Sequence, residues 1–283
     1  MEMMMGRASR AKNARRLSTP IKTKPLQSFV FQPTISQPTS YQPSGRERRQ
    51  REKEEGQGMA GQIGDEEFTN KHIYRFFQDK AHADALVSGK VWLSTLTKCR
   101  AYEDQFQGDS GEGTMHYQSG TISGSSQDQD FVEMARHANI GVGNNNNNIE
   151  IIDCSAKNMI PDAFVICTTE HFSPDNIGEK FGKYCVEISN PKLFFELVTA
   201  NIKKHQKMYQ GAWGRIIYKE RKFSGRDQIP GPIGFVKPPD KYSDQREVRF
   251  IWTIQGSPPL LEPFGLNIPE VKYLCRRIDN TID

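Results

Sequence analysis

The chain has 283 residues, of which 36% are hydrophobic and 25% charged. That balance fits a globular protein with sizeable polar loops, and no run of about 18 apolar residues occurs, so no membrane-spanning helix is expected. The net charge of +4 is unevenly placed: residues 1–58 carry twelve Lys and Arg against five Asp and Glu, which leaves −3 on the remainder. A positive balance confined to one end gives no reason to expect the rest to bind nucleic acid.

Residues 1–58 are rich in Ser, Thr, Gln, Pro and Arg, lack apolar periodicity and end in "GRERRQREKEEGQG". Such a segment buries too little apolar area to offset its ordering entropy, so a disordered basic tail is expected. Three readings of it compete. "RASRAKNARRLS" has the basic, acid-poor flavour of a mitochondrial targeting peptide. The tail also suits an arm that touches nucleic acid or a membrane, or an extension ahead of a start at Met59. A single globular domain is expected over 59–283, cytoplasmic unless the targeting reading holds. Cys99, Cys154, Cys167, Cys185 and Cys275 are odd in number and show no CxxC spacing, which reads as reduced thiols without a zinc site.

In chain order, "KHIYRFF" (71–77) reads as a strand, 79–89 as a short helix with Gly89 as its left-handed cap, and "KVWLSTL" (90–96) as a second strand. "KCRAYEDQFQGDSGEGTMHY" reads as a helical turn followed by an exposed acidic loop. A strand over 117–123 and a helix near 127–138 follow, with a loop tip at "NNNNN" (144–148). Strands are expected over 149–155, 163–169 and 183–189. The clearest helix covers 190–206, with Asn190 as N-cap, Pro191 in the first turn and Lys203, Lys204 and His205 at the C-terminal dipole. Further strands are read at 214–220, 241–252 and 270–278. Strands outnumber helices and do not alternate with them, which predicts an α+β domain with a mixed, mostly antiparallel sheet and flanking helices.

"KYSDQREVRFIW" (241–252) poses the functional question. Period-two alternation puts Gln245, Glu247 and Arg249 on one face and Val248, Phe250 and Trp252 on the other. One reading is a solvent-facing side with a Glu247–Arg249 ion pair; the other is a cleft with a carboxylate held on a rigid strand for chemistry. Arg75, Ser94 and Thr95 can join such a site, and Arg100, Glu103 and Asp104 form one helical turn. Asp109 and Glu112 in "GDSGEG" read first as a flexible surface turn and second as carboxylates for a hard cation. The chain has no GxxxxGK[ST], no strand-linked GxGxxG, no HExxH and no GxSxG.

The ordered series "HIYRFF", "VWLSTLTKCRAYED" and "VKPPDKYSDQREVRFIW" resembles a large, mostly bacterial family of uncharacterised proteins over about residues 71–254, with "CRAYED" departing from that family's Asn-Asp-Pro core. The spacing is also similar to the arginine–serine–glutamate class of ADP-ribosyltransferases: Arg75 on a first strand, Ser94-Thr95 on a second, Gln245-x-Glu247 on a late one. Leu96 departs from the Ser-Thr-Ser triplet of that class. The resemblance implies a split sheet and NAD as substrate. Arg75 would pair with the pyrophosphate, and Ser94, Thr95 and Arg249 would help hold the cofactor. Glu247 would stabilise the oxocarbenium-like state, and Gln245 would orient a macromolecular acceptor, protein or nucleic acid. The resemblance to the uncharacterised bacterial family further implies an accessory role of toxin or phage-defence type. The alternatives are NAD glycohydrolysis, a non-enzymatic interaction module, and a metal-dependent nucleic-acid enzyme using Glu103, Asp104 and Glu247.

Overall fold

The computed structural model describes residues 59–63, 71–102, 108–256 and 260–278. The disordered tail expected over 1–58, and Glu103 and Asp104, lie outside the described residues. The strands are β1 (Met59–Ile63), β2 (Ile73–Phe77), β3 (Lys90–Thr95), β4 (Thr114–Gln118), β5 (Thr121–Gly124), β6 (Ile149–Ile152), β7 (Ser155–Met159) and β8 (Ala163–Thr169). They continue with β9 (Tyr184–Ile188), β10 (Met208–Arg215), β11 (Ile217–Tyr218), β12 (Lys222–Ser224), β13 (Val236–Lys237), β14 (Glu247–Ile254), β15 (Phe264–Asn267) and β16 (Cys275–Ile278). The main helices are α1 (Lys80–Val87), α2 (Leu96–Ala101), α3 (Gln129–His137) and α4 (Pro191–His205).

The chain is an α+β protein with mostly antiparallel pairing. The main sheet runs β1-β10-β14-β8-β2-β9-β16, with β3 also pairing β8 and β15 pairing β3. One edge of β8 is therefore shared. β3 pairs there through Ser94↔Val165 and Thr95↔Phe164, and β2 through Tyr74↔Thr169. The sheet forks between them. Smaller sheets join β12-β4-β7, β5-β6 and β11-β13.

The helices form as the local chemistry demands. Asp79 caps α1 by accepting from Ala81 N at 2.8 Å, and Gly89 follows the helix at φ +89°. There a Cβ would meet Ile268 O at 2.5 Å, so only glycine fits the close crossing. Asn190 accepts from Leu193 N at 2.9 Å to cap α4. That helix buries Phe194, Phe195, Val198 and Ile202 against the even-numbered face of β14, where Val248, Phe250 and Trp252 sit. Burial of each such side chain contributes about 1.5–3 kcal/mol. Trp252 Nε1 donates to Thr199 Oγ1 at 2.8 Å, so the indole enters the core with its polar atom satisfied.

Several expectations are corrected. The strand read over 117–123 is two strands, broken at Gly120 (φ +59°), and that over 149–155 breaks at Asp153 (φ +48°). The breaks face each other: Ser119 N donates to Cys154 O at 2.8 Å and Asp153 N to Gly120 O at 2.9 Å. Two partnered strands thus turn one corner together, a pairing that neither segment reveals alone. The strand read at 214–220 begins earlier, as β10, and stops at Arg215. Half of 270–278 is a 3-10 turn over Pro269–Tyr273 ahead of β16. The loop read as exposed also turns inward: Gly108, Asp109, Glu112 and Gly113 are buried.

Candidate functional site

The odd-numbered face of β14 does hold Glu247 and Arg249, and it is covered. Ile251, Val165, Ala163, Leu96, Ile216 and Phe235 form an apolar floor beside them. The segment 108–113 and β13 close the cluster from above, through Glu112, Asp109 and Lys237. Arg249 Nη1 and Nη2 donate to the two oxygens of Glu112 at 2.5 and 3.0 Å, and Nη1 also reaches Gly234 O at 2.7 Å. Its Nε donates to Glu247 Oε1 at 2.7 Å, while Lys237 Nζ lies 2.7 Å from Glu247 Oε2. Arg221 grips Asp109 with both terminal nitrogens and donates from Nε to Val236 O at 2.9 Å. Three carboxylates thus face three cations in the interior, the arrangement that lets buried charges persist. Side-chain exposure is 1% for Arg249, 2% for Glu112, 4% for Glu247 and 5% for Lys237.

Electrostatics follow from the pairing. Burial alone would raise the Glu247 carboxyl, but the charges of Arg249 and Lys237 hold it far below the ordinary glutamate range. Burial opposes the charge on Lys237, yet Glu247 raises it above a usual lysine. Asp109 is lowered against its own desolvation by Arg221. Glu247 N donates to the Tyr218 hydroxyl at 2.8 Å, and Lys237 Nζ lies 4.9 Å from the centre of the Tyr242 ring. Cys167 stands opposite Arg249 on the next strand, and the Cys99 thiol is its neighbour. All five cysteines are free thiols.

The residues singled out in the sequence separate into those brought together and those not. Gln245 joins the cluster, accepting from Lys237 Nζ at 3.1 Å. It does so from a 3-10 turn, because Arg246 at φ +41° interrupts the strand alternation that was expected to place it. Ser94 is in register with Val165 and so shares the Glu247 face. Thr95 is buried and spends its hydroxyl capping α2, accepting from Lys98 N at 3.2 Å. Among the described residues Arg75 forms no ion pair with Glu247. The register Glu247↔Thr169↔Tyr74 means that Arg75, one residue on, stems from the other face of the sheet. Its guanidinium lies 5.1 Å from the Phe77 ring centre and within electrostatic range of Cys167, Tyr102 and Cys99, and burial lowers its pKa.

Sequence reasoning missed Lys237, Arg221 and the structural part played by Asp109 and Glu112. The spacing "GDSGEG" carried a signal. A Cβ at Gly111 would meet Arg221 Nη1 at 2.6 Å, so the glycine admits the guanidinium against the backbone. The acids there are neither a surface turn nor open to a cation: their oxygens are taken by arginines. Among the described residues no group of three or more His, Cys, Asp or Glu could hold a metal, and no helix is long and apolar enough to cross a membrane. No protein-family model, curated protein or solved structure matches the chain.

Proposed function

We propose that the chain works as a binding module, with the buried charge cluster clamping the segment 108–113 and β13 onto β14 rather than turning over NAD. One observation carries this reading: both oxygens of Glu247 are occupied by cations in an interior that leaves 4% of the side chain exposed. A carboxylate so held is closed off from solvent and has a pKa unsuited to taking a proton near neutrality. Groups with spare capacity lie at the surface instead. Leu260, 60% exposed, lines an apolar hollow of about 680 Å³ together with Phe164, Leu261, Pro263 and Phe264. Trp92, 56% exposed, packs across Gly265 on the same rim. Solvent-facing aromatic and aliphatic groups beside a hollow suit a macromolecular partner.

The test is nicotinamide release from labelled NAD by the purified wild-type chain and by Glu247→Gln. The module reading expects no release above buffer from either. Release by the wild type that disappears in a still-folded Glu247→Gln overturns it.

A second reading keeps NAD-dependent ADP-ribosyl transfer, and one observation favours it. Arg75 has no carboxylate partner among the described residues, and it is carried by β2 at the fork where that strand and β3 diverge beside β8. A guanidinium there is shaped for a pyrophosphate. On this reading Glu247 must leave Lys237 before it can meet a ribose.

A further inference from the structure

The three-stranded sheet β12-β4-β7 has one buried and one open face. Phe223, Tyr117 and Ala156 form the buried row. On the open face the register sets Lys222 opposite His116 and His116 opposite Lys157. Two residues along, Ser224, Gln118 and Ser155 make a second row on the same side. These six residues line a hollow of about 400 Å³.

Neighbouring opposed side chains on a sheet stand about 4.5–5.5 Å apart at Cβ, so the three side chains of such a row can converge on one small group. Here two lysines flank a histidine, and none of the three makes an ion pair or side-chain hydrogen bond among the described residues. Asp227 lines the hollow too, but its Oδ2 is engaged by Ser224 N at 2.9 Å and Ser224 Oγ at 3.1 Å. The row therefore offers two ammonium groups, unpaired among the described residues, on either side of an imidazole, with Asp227 as a carboxylate at the rim of the hollow. Hydroxyl and amide donors lie one row away, an array that fits the oxygens of a tetrahedral anion.

We propose that this face binds the phosphate group of a small phosphorylated molecule, held by Lys157 and Lys222 on either side of His116 with Gln118 and Ser155 as further donors. A small ligand is favoured over a nucleic-acid strand on three grounds. The basic row is three residues long. The hollow is of small-ligand size. Residues 59–283 carry a net −3, which repels an extended polyanion. The site lies on a different sheet from Glu247, so it stands whatever that residue does. Burial, Lys157, Lys222 and the underlying Arg221 depress the pKa of His116, and Asp227 is the acid on the rim. A phosphate dianion among these groups reverses the depression.

The test uses the full chain at constant ionic strength, titrated with inorganic phosphate, with adenosine monophosphate and with a single-stranded oligonucleotide, reading the His116 imidazole by proton NMR. The expected result is saturable binding of phosphate with the His116 titration midpoint moved upward. The Lys157→Ala/Lys222→Ala variant should lose about tenfold or more in affinity while keeping the wild-type melting temperature, as for truncated charge-assisted contacts at a surface. Tighter binding of the monophosphate than of free phosphate assigns the site to an organic phosphate; equal binding assigns it to phosphate itself. The proposal is overturned if phosphate leaves His116 unmoved up to tens of millimolar, if the double variant binds as the wild type does, or if only the oligonucleotide binds, with steep salt dependence.

Discussion

Replacing Glu247 by Gln keeps the volume and removes one buried negative charge. The carboxylate receives Arg249 Nε at 2.7 Å on one oxygen and Lys237 Nζ at 2.7 Å on the other. The amide has one acceptor, so one cation is left facing an NH₂ donor. Arg249 and Lys237 then share Glu112, which lies 3.8 Å from Lys237 Nζ, too far for a strong replacement bond. Removing one partner of a buried pair costs roughly 3–5 kcal/mol, which lowers the melting temperature by about 6–20 °C at about 2–4 °C per kcal/mol for a domain of this size. Urea unfolding followed by the fluorescence of buried Trp213 and Trp252 reads it directly. The pH dependence has a definite sign. The folded pKa of Glu247 is depressed, so its stabilisation is full above the unfolded value of about 4.3 and fades as pH falls below it toward the folded value. The gap between wild type and Glu247→Gln is therefore constant from neutral pH to about pH 5 and narrows in more acid solution. A loss below about 1 kcal/mol at neutral pH, the size of an exposed pair, would refute the sealed-cluster reasoning.

Three further outcomes are expected. Asp162→Ala should cost at least about 2 kcal/mol in urea unfolding, because its carboxylate accepts from Thr97 N, Ala163 N and Leu261 N at 2.9, 3.1 and 3.0 Å. Asn190→Ala should lower stability by about 1 kcal/mol through loss of the α4 cap, with a matching rise in amide exchange at Leu193. Gly89→Ala should destabilise by more than about 1 kcal/mol, since φ is +89° and the new Cβ would press on Ile268 O at 2.5 Å; thermal melting checks it.

Legibility in the sequence followed the range of the forces. Local signals were dependable: Gly89, Asn190 and Pro191 marked the end of one helix and the start of another. The alternation over 247–252 sorted Glu247 and Arg249 from Val248, Phe250 and Trp252 onto opposite faces. The same alternation failed at Gln245, because a left-handed Arg246 is invisible to a periodicity count. The acids of "GDSGEG" looked solvent-seeking for the sound reason that an unpaired carboxylate cannot be buried. Their arginine partners lie 112 and 137 residues further along the chain.

By itself the sequence determined the α+β class, the long amphipathic helix and which side of the Glu247 strand is polar, because periodicity and capping act over a few residues. The tertiary structure alone decided what that polar side is for. It brought Glu112 onto Arg249, set Lys237 on Glu247 and rooted Arg75 on the opposite side of the sheet. Charge pairing between distant segments depends on register and chain crossings, and those are fixed only when the strands meet.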